Sequence, residues 1–264
     1  MKVFEYRFIQ IAFIASLLIS ILSAVIGTFV VMRKMTSIAG SIAHSAFGGL
    51  GLGLLLNLNP VYIAIPFTMA VAGFFSLFKK AMRISEESAL TIIWSFGMSL
   101  GILLMNFKAG FSGEVLGYLF GSILAVSMSD IGLMLASILL TLLAFGIFSR
   151  EIVLSSFDEE FAILCGINTK LFDLIFYMLT ALTVVILIKV AGVLVIIAFL
   201  TIPPIIARRF VKSILKMIFL SFALNLVFSF SGMILSFYFD LPTGPSIVMI
   251  SILTLFLVSV FKRK

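Results

Sequence analysis

The stretch Arg33–Gly53 reads R-K-M-T-S-I-A-G-S-I-A-H-S-A-F-G-G-L-G-L-G. Two basic residues open it, the chain's single histidine, His44, stands at its centre, and the remainder is small or apolar. At helical spacing Ser41, Ser45, Gly49 and Gly53 form one row, and Gly40, His44 and Gly48 form the next. Those rows make a nearly side-chain-free face carrying one imidazole. On a soluble protein such a face has no evident use. In a membrane it lets helices approach closely, or leaves room for something passing between them.

Composition supplies the membrane. Of 264 residues, 62% are hydrophobic and 11% charged, and the mean hydropathy is +1.32. A soluble domain has about half its residues apolar and about a quarter charged. The excess is too large for a core of this size to hide. We therefore expect an all-α polytopic membrane protein, one transmembrane domain over 1–264. The net charge of +7 does not indicate nucleic acid, because the basic residues lie in short gaps between apolar runs, where topology requires them. The single Cys165 excludes an internal disulfide and a cysteine metal cage, and reads as an apolar filler. Glu5 interrupts the basic start, and the run from Phe8 to Met32 is too long for a cleavable signal, so it reads as a span that stays.

Spans are expected at 8–32, 42–56, 61–78, 89–106, 131–148, 171–188, 190–207, 214–238 and 246–261, most of them near the roughly 20 residues that cross a bilayer. The count is nine, with eight and ten as the alternatives. Segment 115–127 is apolar but short, and reads as re-entrant or interfacial. With the N-terminus outside, the inner gaps hold Arg33, Lys34, Lys79, Lys80, Arg83, Arg150, Lys170, Arg208, Arg209, Lys212, Lys216, Lys262, Arg263 and Lys264. Outside remain Lys2, Arg7, Lys108 and Lys189, which completes the 18 basic residues. The positive-inside rule selects that orientation, with a cytoplasmic C-terminus.

The longest hydrophilic gap, 149–170, is then cytoplasmic. Ser156 with Glu159 fits a capping box, and Asp158, Glu159 and Glu160 suit the positive end of a helix. Phe157, Phe161 and Leu164 share one face, and Gly166 supplies a stop. A short amphipathic helix at about 156–168 is expected, either as an interfacial anchor or as a docking element for a cytoplasmic partner. Pro203 and Pro204 lie inside an apolar run and are expected to break or kink it, as a helix end or a hinge.

These residues have a familiar arrangement. F-V-V-M-R-K-M (Phe29–Met35), the His44 stretch, Y-L-F-G (Tyr118–Gly121), F-D-E-E-F-A (Phe157–Ala162), G-V-L-V-I-I-A-F-L-T-I-P (Gly192–Pro203), A-R-R-F (Ala207–Phe210) and P-T-G-P-S-I-V (Pro242–Val248) occur in this order. The chain thereby resembles, over essentially its whole length, the membrane permease subunits of ATP-binding-cassette importers for zinc, manganese and related divalent metals. The resemblance implies a homodimer in the plasma (inner) membrane, an ATPase subunit on the cytoplasmic side and an extracytoplasmic metal-binding protein.

The resemblance also assigns roles to residues. The surface helix becomes a coupling helix, with Phe157, Asp158, Glu160, Phe161 and Gly166 as docking residues. His44 becomes a translocation ligand, with Gly40, Ser41, Ser45, Gly48 and Gly49 lining the pathway. Many members carry an Asp four residues before the His, a spacing that puts carboxylate and imidazole on one helix face. Here that position is Gly40, and Ser122 stands where some relatives have another Asp. Losing hard oxygen ligands favours zinc over manganese. Glu114 and Asp130 are further candidate ligands at the outer mouth.

Other classes are weaker. No G-x-x-x-x-G-K-[ST] motif occurs, so the chain binds no nucleotide cofactor of this type and energy must come from a partner. A gradient-driven secondary transporter would show paired inverted halves and acids at mid-membrane. A membrane enzyme would need H-E-x-x-H or paired intramembrane Asp residues. A permease for a chelated metal or siderophore remains the alternative within the importer class.

Overall fold

The computed structural model describes residues 7–79, 85–107, 117–121 and 126–261. Its helices are α1 (Arg7–Met32), α2 (Ser37–Leu55), α3 (Pro60–Phe78), α4 (Glu86–Asn106), α5 (Met128–Ile147), α6 (Ser149–Phe157), α7 (Glu159–Leu164), α8 (Thr169–Phe210), α9 (Ile214–Phe239) and α10 (Thr243–Phe261). Among the described residues no strand occurs. Eight of the helices are long and apolar enough to cross a membrane.

The count of eight and the nine expected spans differ at one place. α8 has 42 residues, which at about 1.5 Å per residue is roughly twice the thickness of a hydrocarbon core. It is two helices joined at Gly192, whose φ of 77° and ψ of 159° are not helical. The two pieces correspond to the spans expected at 171–188 and 190–207. The proline pair is not the break. Pro203 and Pro204 are buried inside helical structure that continues to Phe210. A proline at 204 deprives the Leu200 carbonyl of its helical donor. Gly27 of α1 comes so close to that carbonyl that a Cβ there would lie 2.7 Å from its oxygen.

The chain forms two compact units. One comprises residues 1–31, 114–138 and 187–264. In it, three of the quoted motifs meet through backbone. A Cβ on Gly121 would collide with Ala191 and Gly192, and one on Gly192 would collide with Phe120 and Gly121. Gly244 lies against the same Phe120 carbonyl, where a Cβ would stand 2.5 Å from the oxygen. The Y-L-F-G turn therefore seats on the Gly192 joint and on the start of α10. α9 and α10 pair beside it, with Gly232 against the backbone of Ile247. Asp240, at φ 51°, turns the chain between them. Of segment 115–127, residues 115–116 and 122–125 lie outside the described residues.

The other unit comprises 32–113 and 139–186. α2 packs between α3 and α4 there. Asn59 caps α3 by accepting from the Val61 amide at 3.1 Å, with Pro60 in the first turn, where its missing N–H costs nothing. Ser85 caps α4 in the same way through the Ser88 amide at 3.2 Å.

Burial ranks the helices. The most apolar windows of α1, α2 and α8 are 83%, 83% and 78% buried, whereas those of α3, α4, α5, α9 and α10 are 33% buried or less. The exposed faces of the latter carry Phe74, Leu77, Leu139, Leu143, Phe219, Phe237 and Phe256. Large apolar side chains in such numbers on an outer surface suit lipid as the solvent.

Gly192→Ala is expected to cost at least about 1–3 kcal/mol, because the conformation is one that glycine alone adopts readily. It should lower the thermal transition of the detergent-solubilised protein, and an unchanged transition would contradict the joint described above.

Candidate functional site

His44 lies near the middle of α2 and is half-buried. Its Nδ1 is 2.8 Å from the Gly40 carbonyl oxygen. A carbonyl only accepts, so Nδ1 carries the proton of the neutral ring and Nε2 keeps its lone pair. Metal-ligating imidazoles are oriented by this kind of bond from the opposite nitrogen. The ring stacks on Trp94 of α4, centroids 4.2 Å apart and planes inclined by 22°. Phe47 is a looser neighbour at 6.4 Å. The backbone at Gly40 thus fixes one side of the imidazole and an indole fixes its face.

The small residues around it are buried and make close helix contacts. Gly97 of α4 sits on the backbone of Ser45. A Cβ on Gly101 would be 2.5 Å from the Phe47 carbonyl oxygen, and one on Gly51 would be 2.8 Å from that of Gly101. On the α3 side, Gly49 meets Ala64, where a Cβ would stand 2.6 Å from Cα, and Gly48 meets the Phe67 ring. Ser45 donates to the Ile42 carbonyl at 2.8 Å. Gly40 and Ser41 are buried as well. Of the residues read as pathway-lining, Ser45, Gly48 and Gly49 therefore meet neighbouring helices directly in this structure, and Gly40 holds the imidazole.

Glu114 and Asp130 are the candidate acids. Glu114 lies outside the described residues. Asp130, in the first turn of α5, is 2.8 Å from Lys189 Nζ and accepts from the Ser127 hydroxyl at 2.6 Å and the Ser127 amide at 2.9 Å. Its carboxylate closes a helix N-terminus and pairs with a lysine of α8 close to the Gly192 joint. Among the described residues no group of three or more His, Cys, Asp and Glu side chains is arranged to hold a metal ion.

The gap after α5 is a hairpin of two helices, where one helix at 156–168 was expected. α6 ends at Phe157, and α7 has six residues. The cap is Asp158, not Ser156. Asp158 is extended, at φ −149° and ψ 96°, and its carboxylate accepts from the Phe161 amide at 2.9 Å. The Ser156 hydroxyl belongs to the preceding helix, where it donates to the Ile152 carbonyl. Gly166 is the expected stop. At φ 79°, it lets its own amide reach Ile163 and that of Ile167 reach Ala162, the double bond of a Schellman end. Phe157, Phe161 and Leu164 are 65%, 51% and 85% exposed. Asp158 and Glu160 are also exposed. Three large apolar groups with acids beside them form a face that nothing in the described chain covers.

Two features escaped the sequence reading. Trp94 has no motif around it, so its place on His44 was not legible. Asp173 has no motif around it either, yet it bridges Arg33 and Lys79.

A model of the ABC 3 transport family matches residues 5–263. The chain belongs to the ABC 3 transport family. Within it, the chain is 30% identical to the high-affinity zinc uptake system membrane protein ZnuB of Haemophilus influenzae, over 96% of this chain and 97% of that one. It is 32% identical to a probable metal transport system membrane protein of Thermotoga maritima, over 94% and 87% of the two chains. It is 29% identical to the manganese transport system membrane protein MntC of Listeria innocua, over 98% and 92%. Among solved structures, PsaBC from Streptococcus pneumoniae in complex with Fab is similar at a TM-score of 0.86 and 27% identity, over 98% of this chain and 93% of that one. An inward-facing putative metal-chelate type ABC transporter shares the fold at a TM-score of 0.69 and 19% identity. Members of the ABC 3 transport family are transport permease subunits, not enzymes.

The chain has a single tryptophan, and it stacks on His44. Trp94 emission is therefore expected to change when zinc or manganese is added to the purified protein, and to stay constant in His44→Gln. An equal response in both proteins would show that the metal binds elsewhere.

Proposed function

We propose that the chain is the permease subunit of an ATP-binding-cassette importer for a divalent metal ion, zinc in first place with manganese or iron as alternatives. The observation that carries this reading is the family match over residues 5–263, together with relatives named as zinc and manganese transport membrane proteins at near-complete coverage. The chemistry at His44 agrees with it. An imidazole with a free Nε2 suits zinc and manganese, and Gly40 in place of a carboxylate tips the balance towards zinc.

Two copies of the chain form the permease in this reading, so that two His44 side chains serve one pathway. One imidazole from each chain makes a weak site. Weakness suits transport, since an ion held in a closed four-ligand cage would not leave.

The α6–α7 hairpin is the coupling element. Its exposed Phe157, Phe161 and Leu164 enter a groove on an ATPase subunit, and Asp158, Glu160 and Gly166 shape its ends. A metal-loaded binding protein delivers the ion from outside, and the N-terminus faces that side. ATP-driven closure of the two ATPase subunits displaces the hairpins and alternates the spans between outward-open and inward-open states. The joint at Gly192, where the backbone already leaves the helical path, is the place where α8 bends.

Two outcomes test the reading. His44→Ala should lower zinc uptake by cells while the complex still assembles with its ATPase, and unchanged uptake would remove His44 from the pathway. Phe157→Asp should abolish co-purification of the ATPase subunit, and retained binding would remove the hairpin from the docking surface.

A further inference from the structure

A cluster of charged side chains lies at the root of the α6–α7 hairpin. Asp173, in the second turn of α8, binds two cations at once. Its Oδ1 is 2.8 Å from Arg33 Nη1, and its Oδ2 is 2.8 Å from Lys79 Nζ. Arg33 follows the last residue of α1, and Lys79 is the C-terminal cap of α3. The side chains are 5%, 15% and 17% exposed for Arg33, Asp173 and Lys79. Arg33 also reaches the hairpin. Its Nε donates to Ser156 Oγ at 2.8 Å and its Nη2 to Ser155 Oγ at 3.3 Å. Both hydroxyls in turn donate to the carbonyl of Ile152, a buried residue of α6. The guanidinium carbon stands 4.3 Å above the Phe176 ring.

Topology accounts for the presence of both cations, but not for this geometry. A basic residue needed only to mark a membrane side stays hydrated and mobile. Arg33 is instead nearly excluded from solvent, with three of its nitrogens engaged and its face on an aromatic ring. The planar fork of arginine makes that set of contacts, and a lysine ammonium cannot. Two of the charges sit at the negative C-terminal ends of α1 and α3, and Asp173 sits near the positive N-terminal end of α8, so the helix dipoles reinforce the cluster. The consequence is mechanical. The last turn of α6, which leads directly into Phe157, is fastened through one guanidinium to the ends of three membrane helices.

We propose that Arg33 and Asp173 are positioning residues that make the hairpin and the ends of α1, α3 and α8 move as one body, so that displacement of the hairpin is transmitted to the spans. This rests on the reading of the hairpin as the ATPase docking element. If the joint is softened, the ATPase still docks and hydrolyses ATP, but the hairpin moves without carrying the spans with it.

The test is the number of metal ions accumulated per ATP hydrolysed by the complete importer in proteoliposomes, with zinc as the ion. Arg33→Lys keeps the positive charge beside Asp173 and loses the reach to the serines. Ser155→Ala with Ser156→Ala loses the same contacts from the other side. Each is expected to lower the ratio about tenfold while the ATPase stays bound, as the loss of charge-assisted hydrogen bonds implies. Combining them should lower it no further, because both remove one interaction. Asp173→Asn leaves the nearly buried Arg33 and the half-buried Lys79 uncompensated and is the harsher change; should it fail to assemble, the milder variants decide. A wild-type ratio in Arg33→Lys would overturn the inference. So would loss of the ATPase from that variant, since the cluster would then only shape the docking surface. A wild-type complex that moves no metal would overturn the proposed function and this inference with it, whereas an unchanged ratio in an active complex overturns the inference alone.

Discussion

Backbone touching backbone is the contact on which each unit of this protein depends. Between two helices in a bilayer no hydrophobic force acts, since lipid is as apolar as leucine, and close approach must supply the attraction. Glycine permits that approach. In one unit Gly97 and Gly101 bring α4 onto Ser45 and Phe47 of α2, and Gly49 brings α2 onto Ala64 of α3. In the other, Gly121 lies on Gly192, and Gly27 lies on the Leu200 carbonyl. The same contacts set the position of the functional groups. His44 is turned by the carbonyl of Gly40 and stacked on a tryptophan three residues before Gly97. Where the backbone leaves the helical path in α8, a second glycine fills the space a side chain would need.

The fold was legible because membrane constraints act on composition and on single residues. Apolar runs gave the spans, and the row of small residues in Arg33–Gly53 marked the helix with close neighbours. What escaped depended on contacts distant in sequence. The boundary between the two spans of α8 was legible near Lys189, but a kink was also expected at Pro203 and Pro204, the residues that remove a hydrogen bond. The backbone leaves the helical path at Gly192, because the Y-L-F-G turn packs there and only a residue without Cβ fits. The single surface helix was expected to start at Ser156, a good capping residue in isolation. Arg33, over a hundred positions earlier, holds that hydroxyl, and Asp158 caps instead. Spacing within one segment cannot announce such partners.

The proposed function draws these features into one sequence of events. A half-buried imidazole with one nitrogen committed to the backbone offers a metal ion a single ligand. An exposed apolar hairpin offers a cytoplasmic protein a surface. In that reading the energy for transport enters through the hairpin. Softness at the metal and stiffness at the hairpin are complementary demands: the ion must leave, and the force must not be lost on the way in. In that reading the half-buried His44 and the nearly buried Arg33 meet those two demands in opposite ways.

Metal accumulation in proteoliposomes tests the central claim most directly. The vesicles hold this chain with its ATPase subunit, receive the metal-loaded binding protein on the outer face, and are given zinc, manganese or iron in parallel. The account predicts uptake that requires ATP on the ATPase side and is greatest for zinc. Equal accumulation without ATP, driven by an ion gradient alone, would contradict it.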